Sequence, residues 1–223
     1  MLKQDSGLAV RGKRHMKTIV SISLTVMLTL LQGCNQGQPP PTTPAASGST
    51  SNDSSTHDDP EHGFAIAVPA NMQLHHDFKR SYLGDDSWKS FAGPDSRGEP
   101  VMALVLEGSN KITAAELRIG IGTDSDALAH CLDVPASGAA AATDTITLAG
   151  VPFTHFRAAD AAMSHYLDVD GYRAVHVGHC YAIDLLLTGT RPEVYDPPAT
   201  PPFTQTEAKR RLREALDGFR FLP

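Results

Sequence analysis

Five short strand-like runs between residues 144 and 188 constrain the fold of this 223-residue chain more than any other feature. Apolar and β-branched residues recur through them, near 144–148, 151–157, 163–169, 172–177 and 180–188. Their separators are short and carry the residue types of hairpin turns: Ala149-Gly150, the small residues 158–162, Asp170-Gly171 and Gly178-His179. This spacing predicts an antiparallel meander.

Further strands are predicted before the meander. Phe64–Val68 alternates and stops at Pro69, as a short strand would. Val101–Leu106 is a continuous apolar run, which suits a central strand buried on both faces. Glu116–Ile121 alternates again, so its apolar residues share one face.

Few helices are indicated. Asp124 can cap a short helix, and Thr204 with Glu207 forms a capping-box pattern before an amphipathic helix. Phe219-Arg220-Phe221 then reads as a last extended piece. The expected fold over residues 62–223 is therefore of the α+β class: one mostly antiparallel sheet with a few flanking helices.

Residues 1–33 are typical of a targeting signal rather than of folded structure. A basic patch precedes the apolar stretch Ile19–Leu31, which is too short and too rich in Ser and Thr for a membrane span. Leu31-Gln32-Gly33-Cys34 follows and resembles the bacterial lipobox. The resemblance implies cleavage before Cys34 and covalent lipid on it, hence a membrane anchor. Met16 would begin a signal of more usual length, which favours Met16 as the true start.

Residues 34–61 are predicted to be the lipidated cysteine and a disordered tether rich in Pro, Ser and Thr. They hold almost no apolar side chains, so burial cannot offset the entropy lost on ordering. We expect a periplasm-facing lipoprotein, and Asn35 after the cysteine favours the outer over the inner membrane. The alternative is an ordinary secretory signal in which Cys34 is coincidental.

The charge distribution argues against one class of partner. The formal net charge is -6, but residues 1–33 contain five basic residues and one acidic residue. Removing their net +4 leaves -10 on the remainder. Nucleic acid is therefore not expected as a partner.

The order of the predicted elements resembles the PsbP-like α/β/α sandwich used by DcrB-type bacterial lipoproteins. The resemblance rests on three features: Phe64–Pro69 after the tether, the late hairpin ending in Tyr181-Ala182-Ile183, and a closing helix followed by Phe219-Arg220-Phe221. It implies a scaffold or accessory protein without a fixed active site.

Lipidation of Cys34 would leave Cys131 and Cys180 as an even pair in an oxidising compartment. We predict a structural disulfide between them, closing a loop of about fifty residues. A redox-active or metal-binding thiol pair is the alternative. The short Cys-x-x-Cys spacing that lowers the pKa of a thiol is absent here.

Two-residue turns fix which residues face each other across strands, so the predicted hairpins place polar side chains in rows. One row is a structural ion network in which one guanidinium satisfies two carboxylates: Asp168, Arg173 and Asp184. The other row runs beside Tyr181 and offers a candidate zinc or copper site: His155, His165 and His176. The alternative for the histidines is a polar sheet face bonded to loops or water. No other cofactor is expected besides the lipid.

The segment 195–203 is rich in proline, with an aromatic residue at each end. Such a pre-extended loop loses little entropy on binding, so it is a candidate partner-docking element. Its residues of interest are Tyr195, Pro197, Pro198 and Phe203. The alternative is a crossover loop packed over a sheet edge.

No catalytic motif stands out in the sequence. It favours a non-enzymatic envelope lipoprotein, an accessory or binding module for an envelope protein or a ligand. The alternatives are an inhibitor or immunity-type lipoprotein and a metal-binding periplasmic protein that uses the histidine row. A deep cavity with convergent polar groups would favour a ligand, and a flat apolar patch near 195–203 would favour a protein partner.

Overall fold

A computed structural model describes residues 54–78, 80–82, 87–135 and 141–223. The predicted targeting signal, Cys34 and the predicted tether up to residue 53 lie outside these ranges. The described ranges hold ten strands: β1 (Ser55–Asp59), β2 (Phe64–Val68), β3 (Met72–His75), β4 (Glu99–Leu106), β5 (Ala114–Gly122), β6 (Ala141–Leu148), β7 (Val151–Ala162), β8 (His165–His176), β9 (His179–Thr190) and β10 (Phe219–Phe221). The helices are α1 (Ser125–Ala129) and α2 (Gln205–Leu216), with a 3-10 turn at Pro192–Val194.

Seven strands form the main sheet in the order β3-β4-β5-β9-β8-β7-β6, and a smaller sheet has the order β1-β2-β10. Every pair of neighbouring strands is antiparallel. The α+β class is confirmed. An antiparallel meander is confirmed with four strands, β6 to β9, rather than five, because β8 spans two of the predicted runs. Within the described ranges, no helix is long and apolar enough to cross a membrane.

The predicted turns inside the meander are wrong at two places. Strand β8 runs unbroken through Asp170-Gly171, and β7 continues through 158–162. Gly171 lies opposite Phe156, whose ring occupies the space a side chain on Gly171 would fill. This glycine therefore serves an aromatic contact across the sheet rather than a turn.

The turn joining β7 to β8 is Met163-Ser164 instead, with φ of 50° and 70°. Two consecutive residues with positive φ are what a type I′ hairpin turn requires, and glycine or asparagine usually supplies them. The β8–β9 turn is Val177-Gly178, one residue earlier than predicted, with φ of 45° and 76°. Only the Ala149-Gly150 turn is confirmed as predicted among these hairpins.

The ordered domain begins earlier than the predicted boundary at residue 62. Strand β1 lies within 34–61, the segment predicted to be a disordered tether. Its side chains are polar and mostly exposed, so apolar patterning gives no sign of it. Backbone pairing with β2 orders β1 at the edge of the small sheet.

One face of the main sheet, the helix face, carries the largest apolar core. Helix α2 and the small sheet cover this face. Thr204 caps α2 by accepting a hydrogen bond from the Glu207 backbone N–H at 3.1 Å, as predicted, whereas the Glu207 carboxylate accepts from Arg210 and Arg211. The apolar side of α2 packs on alternate residues of the central strands β5 and β9, among them Leu117, Ile119, Ile183 and Leu185.

The opposite face, the loop face, is covered by α1 and by the chain between β3 and β4. Two small apolar clusters lie there, one around Trp88 and one around Val169. Charged side chains of the central strands fill the space between these clusters. This division gives the domain one apolar layer and one mixed layer.

His62 joins the small sheet to the main sheet. It lies in the β1–β2 connection, with its Nδ1 2.9 Å from Asp59 at the end of β1 and its Nε2 2.6 Å from Glu99 of β4. The Tyr181 hydroxyl donates to the His62 carbonyl at 2.5 Å. Burial alone would lower the pKa of His62, but the bonds to both carboxylates outweigh burial and raise that pKa.

We therefore expect the contribution of His62 to stability to fall as the pH rises. The pKa of His62 is higher in the folded than in the unfolded state, so the protonated side chain stabilises the fold. This stabilisation is complete at pH values below the unfolded pKa of about 6.5, and it is lost as the pH rises through the folded pKa. The difference in free energy of unfolding between wild type and His62→Gln should shrink by up to about 1 kcal/mol from about pH 6 to about pH 8.5. Urea unfolding at both pH values measures it, and the change should be smaller in a Glu99→Gln background. An equal difference at the two pH values would contradict the expectation.

Candidate functional site

The chain from Trp88 to Phe91 lies directly on the loop face. Trp88 packs against two glycines of β5, and a methyl group on Gly120 would collide with the Trp88 carbonyl. Gly122 is similarly crowded by Ala127 of α1. The paired glycines of β5 therefore allow a close backbone approach, which fixes the height of this segment above the sheet.

The predicted disulfide is confirmed. Cys131 follows α1 and is bonded to Cys180 of β9, with 5.5 Å between the Cα atoms and 49 residues between them in sequence. Both cysteines are fully buried and pack with Trp88, Ala127 and Ala182. The bond thus holds α1 and the Trp88 segment on the loop face.

An ion pair clamps the backbone of this segment from the sheet side. Arg173 of β8 donates to Asp184 of β9 at 2.7 Å, and both side chains are almost fully buried. The other Asp184 carboxylate oxygen accepts from the Ser90 backbone N–H at 2.8 Å, while Arg173 donates to the Ser90 carbonyl at 3.4 Å. The pair therefore fixes both backbone groups of one residue on the covering loop.

A second ionic group lies beside the first. Glu116 of β5 is fully buried and lies 2.9 Å from Arg118 and 3.0 Å from Arg80. Arg118 also donates to the Arg80 carbonyl and lies over the Phe78 ring. Each charge in this group therefore has a partner of opposite sign.

Lys89 is different. Its side chain is 8% exposed, and its ammonium donates to the His130 carbonyl at 3.4 Å and lies 4.9 Å from the centre of the Trp88 ring. In the part of the chain that the structure describes, no carboxylate lies within ion-pair distance of Lys89. Burial, followed by repulsion from Arg173, lowers the pKa of Lys89.

Two cavities adjoin Lys89, and both are also lined by Ser90 and Phe91. The Lys89 cavity is about 400 Å³ and extends between Arg173 and the chain around His130. The Arg118 cavity is about 250 Å³ and has Arg118 and Asp184 among its polar walls. The loop face thus combines one cavity of ligand size, the Lys89 cavity, with convergent charged groups, as small-molecule sites do.

The predicted ion network is confirmed only for Arg173 and Asp184. Asp168 does not join them, because it points to the helix face, where it accepts from Lys209 of α2 at 2.5 Å. Arg173 and Asp168 are five residues apart on one strand, so their side chains lie on opposite faces. The unbroken course of β8 is the physical reason for the error.

The predicted row of histidines does not exist. His155 lies opposite Tyr172, His165 opposite Ala162 and Thr190, and His176 opposite His179. His165 and His176 are at the two ends of β8, roughly 36 Å apart at the usual strand rise. The predicted turn at Asp170-Gly171 divides β8 into two paired strands. In that arrangement His165 and His176 would face each other, but β8 is one continuous strand.

His155 has a structural environment of its own on the helix face. Its Nδ1 lies 2.6 Å from Asp144, and its ring stacks on Tyr172 with 4.7 Å between the centres. Burial and nearby Asp170 raise the pKa of Tyr172 to about 12. No group of three or more His, Cys, Asp or Glu side chains suited to a metal ion occurs among the described residues.

The proline-rich loop is anchored to the domain at both ends. Phe203 is half-buried against the main core, and the Tyr195 ring is half-buried with the Lys111 ammonium 5.2 Å from its centre. Pro197 and Pro198 are exposed between them. The aromatic side chains expected to dock a partner are therefore partly engaged within the chain.

Sequence reasoning did not identify Lys89, Arg118 or Glu116 as site residues. One signal was present: Glu116 and Arg118 share a face of a strand whose other face is wholly apolar, so the two charges had to face a covering layer. Lys89 has no such signal, since its position depends on contacts with residues about forty or more positions away.

Comparison with known proteins gives no family assignment. No protein-family model matches the chain, and no curated protein is significantly similar to it.

Proposed function

We propose that this chain is a lipid-anchored protein of the bacterial cell envelope whose domain is a non-enzymatic module that binds a small ligand. The observation that carries the proposal is the buried ammonium of Lys89, which adjoins two cavities on the loop face and pairs with no carboxylate among the residues that the structure describes. A stable domain gains nothing from such a charge unless another group compensates it.

Two features support the proposed location. Leu31-Gln32-Gly33-Cys34 has the residues of a lipoprotein processing site, with Cys34 as the lipidated residue. The Cys131–Cys180 disulfide suits an oxidising compartment outside the cytoplasm. With Asn35 after the cysteine, we place the mature protein on the periplasmic side of the outer membrane.

The choice of a ligand over a protein partner depends on the cavities. Both are bounded by charged groups and by aromatic side chains such as Phe91. The alternative docking loop at 195–203 has its aromatic ends packed on the domain. A concave, partly charged site suits a small polar molecule better than a flat protein surface.

The anchor is tested by replacing Cys34. Expressed with its full leader in a bacterium that processes lipoproteins, the wild type should incorporate an alkyne-tagged palmitate and fractionate with the outer membrane. Cys34→Ser should lose the label and the membrane association almost completely, because the acylated sulfur is gone. Cys131→Ser serves as a matched control and should keep the label. Equal labelling of wild type and Cys34→Ser would overturn the proposed anchor.

Ligand binding is tested by a thermal-shift screen of small polar metabolites against the domain. Gly93 borders the Lys89 cavity, and a side chain added there would meet open space, so Gly93→Phe should obstruct the cavity without disturbing the fold. We expect at least one compound to raise the melting temperature of wild type and not of Gly93→Phe. Thr56→Phe on exposed β1 is the control and should respond as wild type does. A screen in which no compound distinguishes these proteins would refute the binding function.

A further inference from the structure

Among the described residues, the buried charges of the mixed layer on the loop face do not balance. Three cationic side chains, Lys89, Arg118 and Arg173, are buried there among the described residues, against the two buried carboxylates of Glu116 and Asp184. Arg173 is matched by Asp184 and Arg118 by Glu116. Among the described residues, the buried cation without a carboxylate partner is therefore Lys89.

The hydrogen bonding of Lys89 is also incomplete. An ammonium has three N–H donors, and in the described part of the chain one protein acceptor serves it, the His130 carbonyl at the long distance of 3.4 Å. The Trp88 ring covers one side of the ammonium. A buried cation in this state offers unused donors to an anionic group that enters the cavity.

The rim of the same cavity has the opposite sign. Asp95, Asp126 and Asp133 line it and are exposed, whereas Lys89 and Arg173 at its floor are buried. His130 pairs with two of these carboxylates, at 3.7 Å from Asp126 and 2.8 Å from Asp133. A multiply charged anion such as phosphate would be repelled at this rim, whereas a molecule carrying both signs would match rim and floor.

The remaining walls are apolar. Phe91, Phe156, Val134 and Pro135 contribute to them, and the cavity of about 400 Å³ falls at the lower end of the size range of small-molecule sites. An apolar side chain on the ligand would therefore have a surface to cover. The cavity thus offers a ligand buried cationic groups, exposed carboxylates and an apolar wall.

We infer that the Lys89 cavity binds a small zwitterionic α-amino acid with an apolar side chain. Its carboxylate bonds to the Lys89 ammonium at the floor, its ammonium faces the aspartates of the rim, and its side chain contacts the apolar wall. This inference rests on the proposed binding function and specifies the ligand class of the same site.

L-leucine is the probe, with two analogues that each lack one charge, N-acetyl-L-leucine and L-leucinamide. Trp88 is the only tryptophan of the chain and adjoins the Lys89 ammonium, so its fluorescence reports occupancy; calorimetry gives the dissociation constants. We expect L-leucine to bind and each analogue to bind about tenfold or more weakly, since each loses one charge-assisted contact.

Lys89→Met keeps the length and apolar stem of the side chain and should weaken L-leucine binding about tenfold or more. Lys111→Met is the matched control, because Lys111 also lies over an aromatic ring but does not line the cavity, and the variant should bind L-leucine like wild type. Should Lys89→Met fold poorly, the exposed double variant Asp95→Asn with Asp133→Asn replaces it. The double variant should bind L-leucine more weakly than wild type does, and it should bind N-acetyl-L-leucine as wild type does.

Two results would overturn the inference: no binding of L-leucine by the wild type, or binding that is indifferent to Lys89 and to the rim aspartates. Suppose that one of these results is found, but the metabolite screen yields a ligand whose binding is blocked by Gly93→Phe. The proposed binding function then stands and only the ligand class is wrong. If the screen also yields nothing, both fail.

Discussion

Replacing Asp184 with alanine should lower the free energy of unfolding by about 3–5 kcal/mol, because it leaves the Arg173 guanidinium buried without its carboxylate. The variant also removes the acceptor of the Ser90 backbone N–H, so the covering loop loses a fixed point. Urea unfolding followed by far-UV circular dichroism measures the change.

Asp58→Ala is the matched control, since Asp58 pairs with Arg220 on the surface, and it should cost at most about 1 kcal/mol. A double variant, Arg173→Met with Asp184→Leu, should be more stable than Asp184→Ala because no unpaired charge remains. If Asp184→Ala and Asp58→Ala were equally mild, the ion pair would have no special role in holding the loop.

Removing the disulfide should have an effect of similar size. The Cys131→Ala and Cys180→Ala double variant should lose about 2–5 kcal/mol of stability, since the bond closes a loop across a separation of 49 residues and so restricts the unfolded chain. Two small cavities beside Trp88 add to the loss. Urea unfolding of wild type and variant, with and without reductant, gives the difference.

Reductant provides the internal control for that experiment. It should shift the unfolding midpoint of the wild type towards that of the double variant and leave the double variant unchanged. A wild type whose midpoint does not respond to complete reduction would contradict the structural role of the bond.

The local elements of the fold were predictable because their signals are local. The alternation of Phe64–Val68, the Thr204 cap and the apolar run in β4 each depend on residues close in sequence. The Met163-Ser164 turn gave no signal, because neither residue is typical of positive φ. Gly171 gave a misleading turn signal, because glycine also occurs within strands where an aromatic ring packs closely against the backbone.

The candidate site could be predicted only in part, for a reason of distance along the chain. The hydrogen bond between Ser90 and Asp184 joins residues 94 positions apart, and the sequence around one residue does not predict contact with the other. The cysteines were an exception, since the prediction that Cys34 is lipidated left Cys131 and Cys180 with one possible pairing. The predicted row of histidines was wrong because it depended on the position of one turn. A single misplaced turn changes every cross-strand neighbour that follows it.

The Met163-Ser164 turn and the disulfide together affect how the domain would respond to proteolysis. Met163 is 87% exposed at the tip of the β7–β8 hairpin, and it lies between Cys131 and Cys180 in sequence. A nick at this tip would therefore leave two fragments joined covalently, with the strands on either side still paired along their length. Cleavage at this exposed hairpin would thus not release either piece.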